Sequence, residues 1–434
     1  MVMLPTEIAH FLLPLIVATS IALMLLRPRG IPEVWWISGG ALLLIVLRLI
    51  PLKLASQAVA KGGDVYLFLT GMMLLSELAR EQGVFDWVAS VAVRGANGSC
   101  SRLFLLVYGA GTLVTIFMSN DATAVVLTPA ILTAVRKAKV PPLPYLFACA
   151  LIANSASFVL PISNPANLVV FRAGMPPLGR WLADFGVPSL LSIVVTFLVM
   201  RALFRRELCK GIECEVEDAN LTWNGKLVLA GLAVMIVVLL TASAMNKDLG
   251  LPTCMAALVI TAVVSIQAKS NPITLAREIS WATIMLVAGL FVLVEAVESQ
   301  GALEMTQRWL AWAAGLGQYA GAIMVGFLVA VANNIVNNLP LGLIAGATIQ
   351  ASHTKGLLAN AILIGVDLGP NLSVTGSLAT ILWLLAIRKE SSGSDGSEKL
   401  DVTFWKFLKV GLIAMPVALL AALSGAILMK ILAF

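Results

Sequence analysis

Charge is what this chain has least of. Only 12% of its 434 residues are Asp, Glu, Lys or Arg, while 59% are hydrophobic; soluble domains carry about 25% charged residues. A soluble globular domain is thereby excluded, and a polytopic membrane protein in contact with the lipid bilayer is implied. Histidine is scarcer still: His10 and His353 are the only two, so a catalytic triad or a metal cluster has little to form from. The chain contains no G-x-x-x-x-G-K-[ST] phosphate loop and no H-E-x-x-H pair, which argues against an enzyme and against ATP hydrolysis by the chain itself. No cofactor and no metal are expected. The five cysteines, Cys100, Cys149, Cys209, Cys214 and Cys254, are an odd number with no C-x-x-C spacing. Neither a disulfide framework nor a zinc site follows from them. Cys209 and Cys214 share a polar loop and are read as plain thiols of it, transient binding of a soft metalloid being the alternative. The net charge of +6 implies no nucleic-acid partner, because basic residues flanking membrane helices on one side account for it.

What the chain has is apolar runs, at about 8–26, 34–52, 63–79, 103–118, 122–135, 145–171, 187–204, 226–243, 252–267, 281–298, 319–336, 339–350, 357–387 and 405–432. A crossing takes about 20 apolar residues, and several runs are too short or too polar at the centre to cross alone. The first run has no Lys or Arg before it and no small-residue cleavage site after it, so it is expected to stay as a span. The stretch 84–94 is amphipathic and suits the membrane interface.

The runs repeat. At an offset of 218, Gly71, Glu77, Gln82 and Gly83 fall on Gly289, Glu295, Gln300 and Gly301, and Asn120 falls on Asn338; later the offset becomes 212, and Leu160–Pro165 faces Leu372–Ser377. The polar breaks coincide as well as the identities. We divide the chain into a first repeat over 1–210, a loop over 211–225 and a second repeat over 226–434, with a linker at 388–404. The expected fold is an all-α polytopic membrane protein, an inverted repeat of two five-crossing halves. Each half has a re-entrant helical hairpin and a broken helix, and an odd number of crossings inverts the second half. Placing both termini outside puts 20 of the 29 Lys and Arg on the cytoplasmic face, as membrane insertion favours.

Four polar clusters interrupt the apolar runs. The first hairpin tip carries Ser119, Asn120, Asp121 and Thr123, and the broken helix of the same half carries Asn154, Ser155 and Ser157, then Ser163, Asn164 and Asn167 between and beyond Pro161 and Pro165. The second tip carries Asn333, Asn334, Asn337 and Asn338 before Pro340, and its broken helix has Asp367-Leu368-Gly369-Pro370-Asn371 followed by Ser373, Thr375, Ser377 and Thr380. Scattered Ser, Thr and Asn can serve as glue between helices, at about 1 kcal/mol each. Four clusters placed symmetrically about a repeat point to a binding site built from helix ends and amides. We take Ser119, Asn120, Thr123, Ser163, Asn164, Asn167, Asn337, Asn338, Ser373, Thr375 and Ser377 as substrate-binding candidates. Acids inside a membrane cost about 2.5–3.5 kcal/mol and belong to proton or ion pathways. Asp121 and Asp367 are therefore the first candidates for proton coupling, and Glu77 and Glu295, at equivalent places in the repeat, the second. Glu77 also has Arg80 within pairing distance on a helix. His10, near the start of the first span, is read as interfacial.

At Asn120-Asp121-Ala122-Thr123-Ala124-Val125-Val126-Leu127-Thr128-Pro129, at Asn337-Asn338-Leu339-Pro340 and at Asp367–Trp383, the chain resembles the ArsB-type arsenite permeases of the ion transporter superfamily. The likeness runs from the first span to the last. It implies an elevator-type ion transporter fold with a dimerising scaffold, hence a homodimer. It also implies efflux of arsenite and antimonite across the inner (plasma) membrane, by exchange with protons or coupled to a separate cytoplasmic ATPase subunit. One departure stands out: the family shows Ser-Asp-Thr-Ala-Ser before its first broken helix, where this chain has Ala153-Asn154-Ser155-Ala156-Ser157. The missing carboxylate leaves coupling to Asp121 and Asp367. A sodium/proton antiporter of the same superfamily and a channel-like subunit of an ATP-driven pump, docked through 205–225 and 388–404, remain the alternatives. A dicarboxylate carrier fits less well, since neither tip has the Ser-Asn-Thr pattern of those relatives.

Arsenous acid is a small neutral tris-hydroxyl, better held by amides, hydroxyls and helix ends than by a cationic clamp. No cysteine lies in the four clusters. A variant with serine at all five cysteine positions is therefore expected to keep metalloid transport in vesicles, and its loss would show that thiolate ligation is part of the site.

Overall fold

The computed structural model describes residues 6–172, 174–208, 220–392 and 402–432, whose regular elements are all helices joined by short turns. Cys209, Cys214, most of the expected 388–404 linker and the side chain of His10 lie outside the described residues. The linker begins later than expected, because the helix before it continues to Ser392.

The chain opens with α1 (Thr6–Leu26) and α2 (Glu33–Val46), then α3 (Leu52–Lys61) and α4 (Gly63–Glu81). The last two meet at a 46° bend. Next come α5 (Val84–Gly95) and α6 (Cys100–Phe117). The chain reverses at Met118-Ser119 into α7 (Asn120–Ala122), a π-helical turn over Thr123–Leu127, and α8 (Thr128–Lys137). Helix α9 (Leu143–Ser155) unwinds, passes a 3-10 turn at Pro161–Ser163, and resumes as α10 (Pro165–Val170) before α11 (Leu178–Leu203).

The second half follows the same order. It comprises α12 (Trp223–Ala244), α13 (Gly250–Ala268), the short α14 (Pro272–Glu278), α15 (Trp281–Glu298), α16 (Ala302–Gly315), α17 (Gln318–Val336) and α18 (Asn338–Ala351). Then α19 (Leu357–Leu368) unwinds through two 3-10 turns, and α20 (Leu378–Ser392) and α21 (Phe404–Leu432) complete it. Seven helices among the described residues are long and apolar enough to cross a membrane, eight with the bent α3–α4 pair.

Local chemistry explains most of the boundaries. Helix α10 restarts at Pro165, whose missing N–H costs nothing at a first helical position, with the Asn164 side chain accepting from Ala166 N at 3.0 Å. Helix α19 ends where Gly369-Pro370 begins. The equivalent Gly83 and Gly301 both take left-handed backbone, φ 71° and 81°, and each opens a short helix running off the preceding long one. That conformation favours glycine, so this identity in the repeat has a structural cause.

Packing falls into corresponding pairs. α2 lies on α15 as α13 lies on α4, α6 on α9 as α17 on α19, α9 on α11 as α19 on α21, and α11 packs on α21 itself. Most telling is the exchange at the centre, where α18 packs on α10 while α8 and the π turn pack on α20. Each hairpin's return arm thus lies against the resumed helix of the other half. Helices α9 and α19 are buried on nearly every side, so amphipathic patterning could not have revealed which way they face.

Close approach at the second break depends on Gly411 of α21. A Cβ there would fall against the carbonyl oxygens of Asn371 and Leu372. Gly411→Ala is expected to cost about 1–3 kcal/mol, as overpacking does, read as a lower melting temperature of the purified protein. Gly186→Ala in α11, where a Cβ meets nothing within 4 Å, is expected to leave it unchanged.

Candidate functional site

Unwinding a helix inside a bilayer strands backbone carbonyls, which must find donors within the protein. Asparagine amides supply them. Asn167 Nδ2 donates to the carbonyls of Ser157, Leu160 and Pro161 at 2.9, 3.3 and 3.3 Å. In the second half Asn333 Nδ2 donates to Val366 O, Asn334 Nδ2 to Gly369 O at 3.0 Å, and Asn337 Nδ2 to Thr375 O at 3.2 Å. Thr380 Oγ1 donates to Val374 O at 2.8 Å.

Two links join the halves at their breaks. Asn154 Nδ2 donates to Asn371 Oδ1 at 2.9 Å, and Asn371 Nδ2 returns to Leu151 O at 3.1 Å and Ser155 Oγ at 2.9 Å. Asn164 Nδ2 donates to Asp367 Oδ1 at 2.5 Å, which places one candidate acid wholly inside the core.

The tips are held from within. Thr123 Oγ1 lies 2.8 Å from Thr115 Oγ1 and stitches the arms of the first hairpin, while Thr128 Oγ1 donates to Thr123 O at 2.9 Å beside the π turn. Ser119 Oγ accepts from Ala122 N, and Ser163 Oγ donates to Ile116 O at 3.0 Å. At the second tip Asn337 has φ 80° and ψ 153°, a region that is nearly glycine-only and costs on the order of 1–3 kcal/mol. Its side-chain bond to Thr375 O and its N–H bond to Asn333 O, 2.8 Å, hold it there. Ser373 Oγ donates to Asn334 Oδ1 at 2.7 Å, Thr375 Oγ1 donates to Asn334 O at 3.1 Å, and Ser377 Oγ accepts from Thr380 N at 3.1 Å.

Within these tips and breaks, every buried side-chain atom left without a partner is an oxygen acceptor. They are Oδ1 of Asn120, Asn154, Asn167, Asn333 and Asn338, and Oδ2 of Asp367. For Asn167 and Asn333 the orientation is fixed, because their amide nitrogens face backbone carbonyls, which only accept.

A cavity of about 140 Å³ opens beside the first tip, where Ser119 and Asp121 meet Pro165 of α10 and Leu378 of α20. Across it stand Ser76 and Glu77 of α4, with Glu278, Ser280 and Thr283 toward one end. No Lys, Arg or His lines it. Ser280, Thr283, Leu378 and Leu382 are shared with a larger vestibule of about 750 Å³ that reaches Thr375 inside and Arg27 and Arg388 at its mouth.

The candidates therefore separate. Ser119, Asp121 and Glu77 share the cavity, with Glu77 also bonded to Arg80 Nε at 2.9 Å. Asp367, Asn164, Asn167, Ser163, Thr123 and Ser377 are engaged in the bonds that shape the breaks and tips. Asn120 and Asn338 are buried at corresponding places with free acceptors. Glu295 lies away from the cavity, paired with Lys61 Nζ at 2.6 Å. Asn371 and Glu278 were not among the sequence candidates. Asn371 sat visibly in the polar cluster, whereas nothing local marked Glu278, at the end of an exposed seven-residue helix.

Seven helices among the described residues, long and apolar enough to cross a membrane, make this a multi-pass membrane protein, and the family it falls in is one of transporters, not enzymes. A family profile described as citrate transporter (CitMHS) matches residues 16–387, and the chain belongs to this ArsB/CitMHS permease family. It is 27% identical to an arsenical pump membrane protein of Escherichia coli, covering 93% of this chain and 96% of that one. The protein of the same name from Escherichia coli strain K12 is 28% identical, over 86% and 90%. A putative arsenical pump membrane protein of Bacillus subtilis strain 168 is 22% identical over 92% and 95%. Among solved structures, the Alcanivorax borkumensis YdaH transporter superposes with a TM-score of 0.53 at 15% identity, over 87% of this chain and 86% of that one; that likeness concerns the fold.

The two kinds of asparagine should respond differently. Asn371→Ala strips donors from Leu151 O and Ser155 and orphans the Asn154 amide, at an expected cost of at least about 2 kcal/mol. Asn120→Ala removes an oxygen the fold does not use and should leave stability within about 0.5 kcal/mol. Thermal unfolding of the two purified variants checks both.

Proposed function

We propose that the chain is a secondary carrier that exports arsenite and antimonite across the inner membrane in exchange for protons. The observation that carries this reading is the chemistry of the core: the fully shielded side-chain atoms of the tips and breaks that lack a partner are all acceptors, beside a cavity lined by acids and, among the described residues, by no base. Citrate and other polyanions need Arg, Lys or paired N–H donors, and the tips and breaks contain no basic residue. Arsenous and antimonous acids bring hydroxyl donors and no charge, which is what such acceptors lack. The names of the Escherichia coli relatives point the same way.

The packing pattern supports an inverted repeat with ten crossings. Five come from α1, α2, α3–α4, α9–α10 and α11, and five from α12, α13, α15, α19–α20 and α21. The termini are then outside and the vestibule mouth, with Arg27 and Arg388, is cytoplasmic by the distribution of basic residues. In this reading α1–α4 and α12–α15 form a dimerising scaffold, and the hairpins and broken helices with α11 and α21 form the moving part.

Asp121 is the coupling acid best placed for the task, since it faces the cavity and makes no hydrogen bond or ion pair among the described residues. Asp367, bonded to Asn164 on one oxygen and free on the other, is the second. One proton entering per neutral solute leaving moves one charge, worth about 2.3 kcal/mol per 100 mV. A cytoplasmic ATPase subunit would add drive without altering this site.

Everted vesicles carrying the purified protein, with no ATPase present, test the reading. Arsenite uptake is expected when the lumen is acid. It should fall at least tenfold in Asp121→Asn, with partial activity in Asp121→Glu, and excess citrate should not compete. Uptake that follows sodium instead of protons would favour the antiporter, equilibration without a gradient would favour a channel, and competition by citrate would overturn the substrate class.

A further inference from the structure

A second cavity has a quite different character. Helices α5, α6 and α11 enclose a groove of about 760 Å³ walled by Trp87 and Val91 of α5, Leu106 and Leu113 of α6, and Val194 and Phe197 of α11. Its two hydroxyls are already used: Tyr108 Oη donates to Ile193 O at 2.7 Å and Thr112 Oγ1 to Tyr108 O at 2.8 Å. At Gly109, on the groove wall, a Cβ would meet nothing within 4 Å, so the space continues up to the helix backbone.

One end of the groove is basic on all three walls. Residues spaced by three, four or seven share a helix face. Arg102 shares one with Leu106, Gly109 and Leu113 on α6; Arg94 with Trp87 and Val91 on α5; and Arg201 with Val194 and Phe197 on α11. All three arginines are exposed. Arg94 and Arg102 flank the short turn that joins α5 to α6. Helix α11 brings its later residues to the earlier ones of α6, since Phe197 stacks on Phe104 with centroids 5.6 Å apart while Ile193 meets Tyr108. Arg201, one turn beyond Phe197, therefore approaches the same end. From Arg102 to Leu113 the stripe runs about 17 Å at 1.5 Å per residue. That is close to one leaflet, half of a hydrocarbon core about 30 Å thick.

We propose that this groove is a binding site for an anionic phospholipid of that leaflet, with one acyl chain lying along α6 and the phosphate at Arg94, Arg102 and Arg201. Length selects an acyl chain and charge selects the headgroup. Basic residues at the membrane surface attract anionic lipid by about 1 kcal/mol each, which a zwitterionic lipid forgoes. The site is remote in character from the acid-lined cavity and does not depend on what that cavity carries. Its wall includes α6, the outer arm of the first hairpin, so a bound lipid ties α5 to that arm.

Trp87 is the reporter. The full chain in detergent–lipid micelles is titrated with phosphatidylglycerol or phosphatidylcholine brominated on the acyl chain, and the share of quenching due to Trp87 is taken by difference from Trp87→Phe. Phosphatidylglycerol is expected to quench that share at least threefold more effectively. The preference should vanish in Arg102→Gln/Arg201→Gln, whose changes are on the exposed surface. Glycerol phosphate, a headgroup without a chain, should not reverse the quenching. Gly109→Leu, which fills the groove, should protect Trp87 from both lipids with the melting temperature unchanged. Equal quenching by the two lipids, a preference that survives the double arginine change, or displacement by glycerol phosphate would each overturn the proposal.

Discussion

An interrupted helix in a bilayer has carbonyl groups that water cannot reach, and the structure is arranged around meeting that demand. Asparagine meets it at almost every point because its amide offers two N–H donors on a short side chain. The consequence is chemical as well as structural. An asparagine whose nitrogen is turned toward a stranded carbonyl turns its own oxygen away from it, and that oxygen stays an open acceptor unless another donor reaches it, as Ser373 reaches Asn334. Asn167 and Asn333 show this directly, with nitrogens on backbone carbonyls and oxygens unpartnered. The polarity of the core is thus set by how the breaks are held, before any substrate is considered.

The two halves use this device unequally. In the second half Asn333, Asn334 and Asn337 of one hairpin reach three carbonyls across the break. In the first half the hairpin carries fewer amides, and the work falls to Asn167 within the broken helix itself. The first hairpin has instead a π turn and a cavity with Ser119 and Asp121. A π turn inserts a residue into the helical register and often accompanies function. Open space nevertheless borders both halves, since the larger vestibule reaches Thr375 and Leu378 of the second.

The tips and the breaks were legible in the sequence, because polar residues in apolar runs are conspicuous and Gly or Pro marks where a helix cannot continue. Gly83 and Gly301, identical at the repeat offset, turned out to share a backbone conformation. What was illegible depended on partners far away in the chain. Nothing near Asp367 shows that Asn164, 203 residues earlier, will bind it, or that Asn154 and Asn371 will clasp. Nothing near Glu295 shows that Lys61 will pair with it. The two glutamates are equivalent by repeat and differ in surroundings, since one borders the cavity and the other does not. Symmetry in sequence located both and could not distinguish them.

A profile described as citrate transporter and relatives named for arsenicals both match this chain, so membership of the family does not by itself choose the solute. The choice must lie in what the tips and breaks present. A carboxylate-binding site needs donors facing inward: free amide nitrogens, uncommitted hydroxyls or a guanidinium. Here the hydroxyls of Thr123, Ser163 and Ser377 are bonded within the protein, and the amide nitrogens of Asn154, Asn164 and Asn167 are also in use. Turning Asn167 or Ser163 toward a polyanion would strand the carbonyls of Ser157, Leu160, Pro161 and Ile116. The side chains that set the polarity of this core are thus the same ones that hold its broken helices.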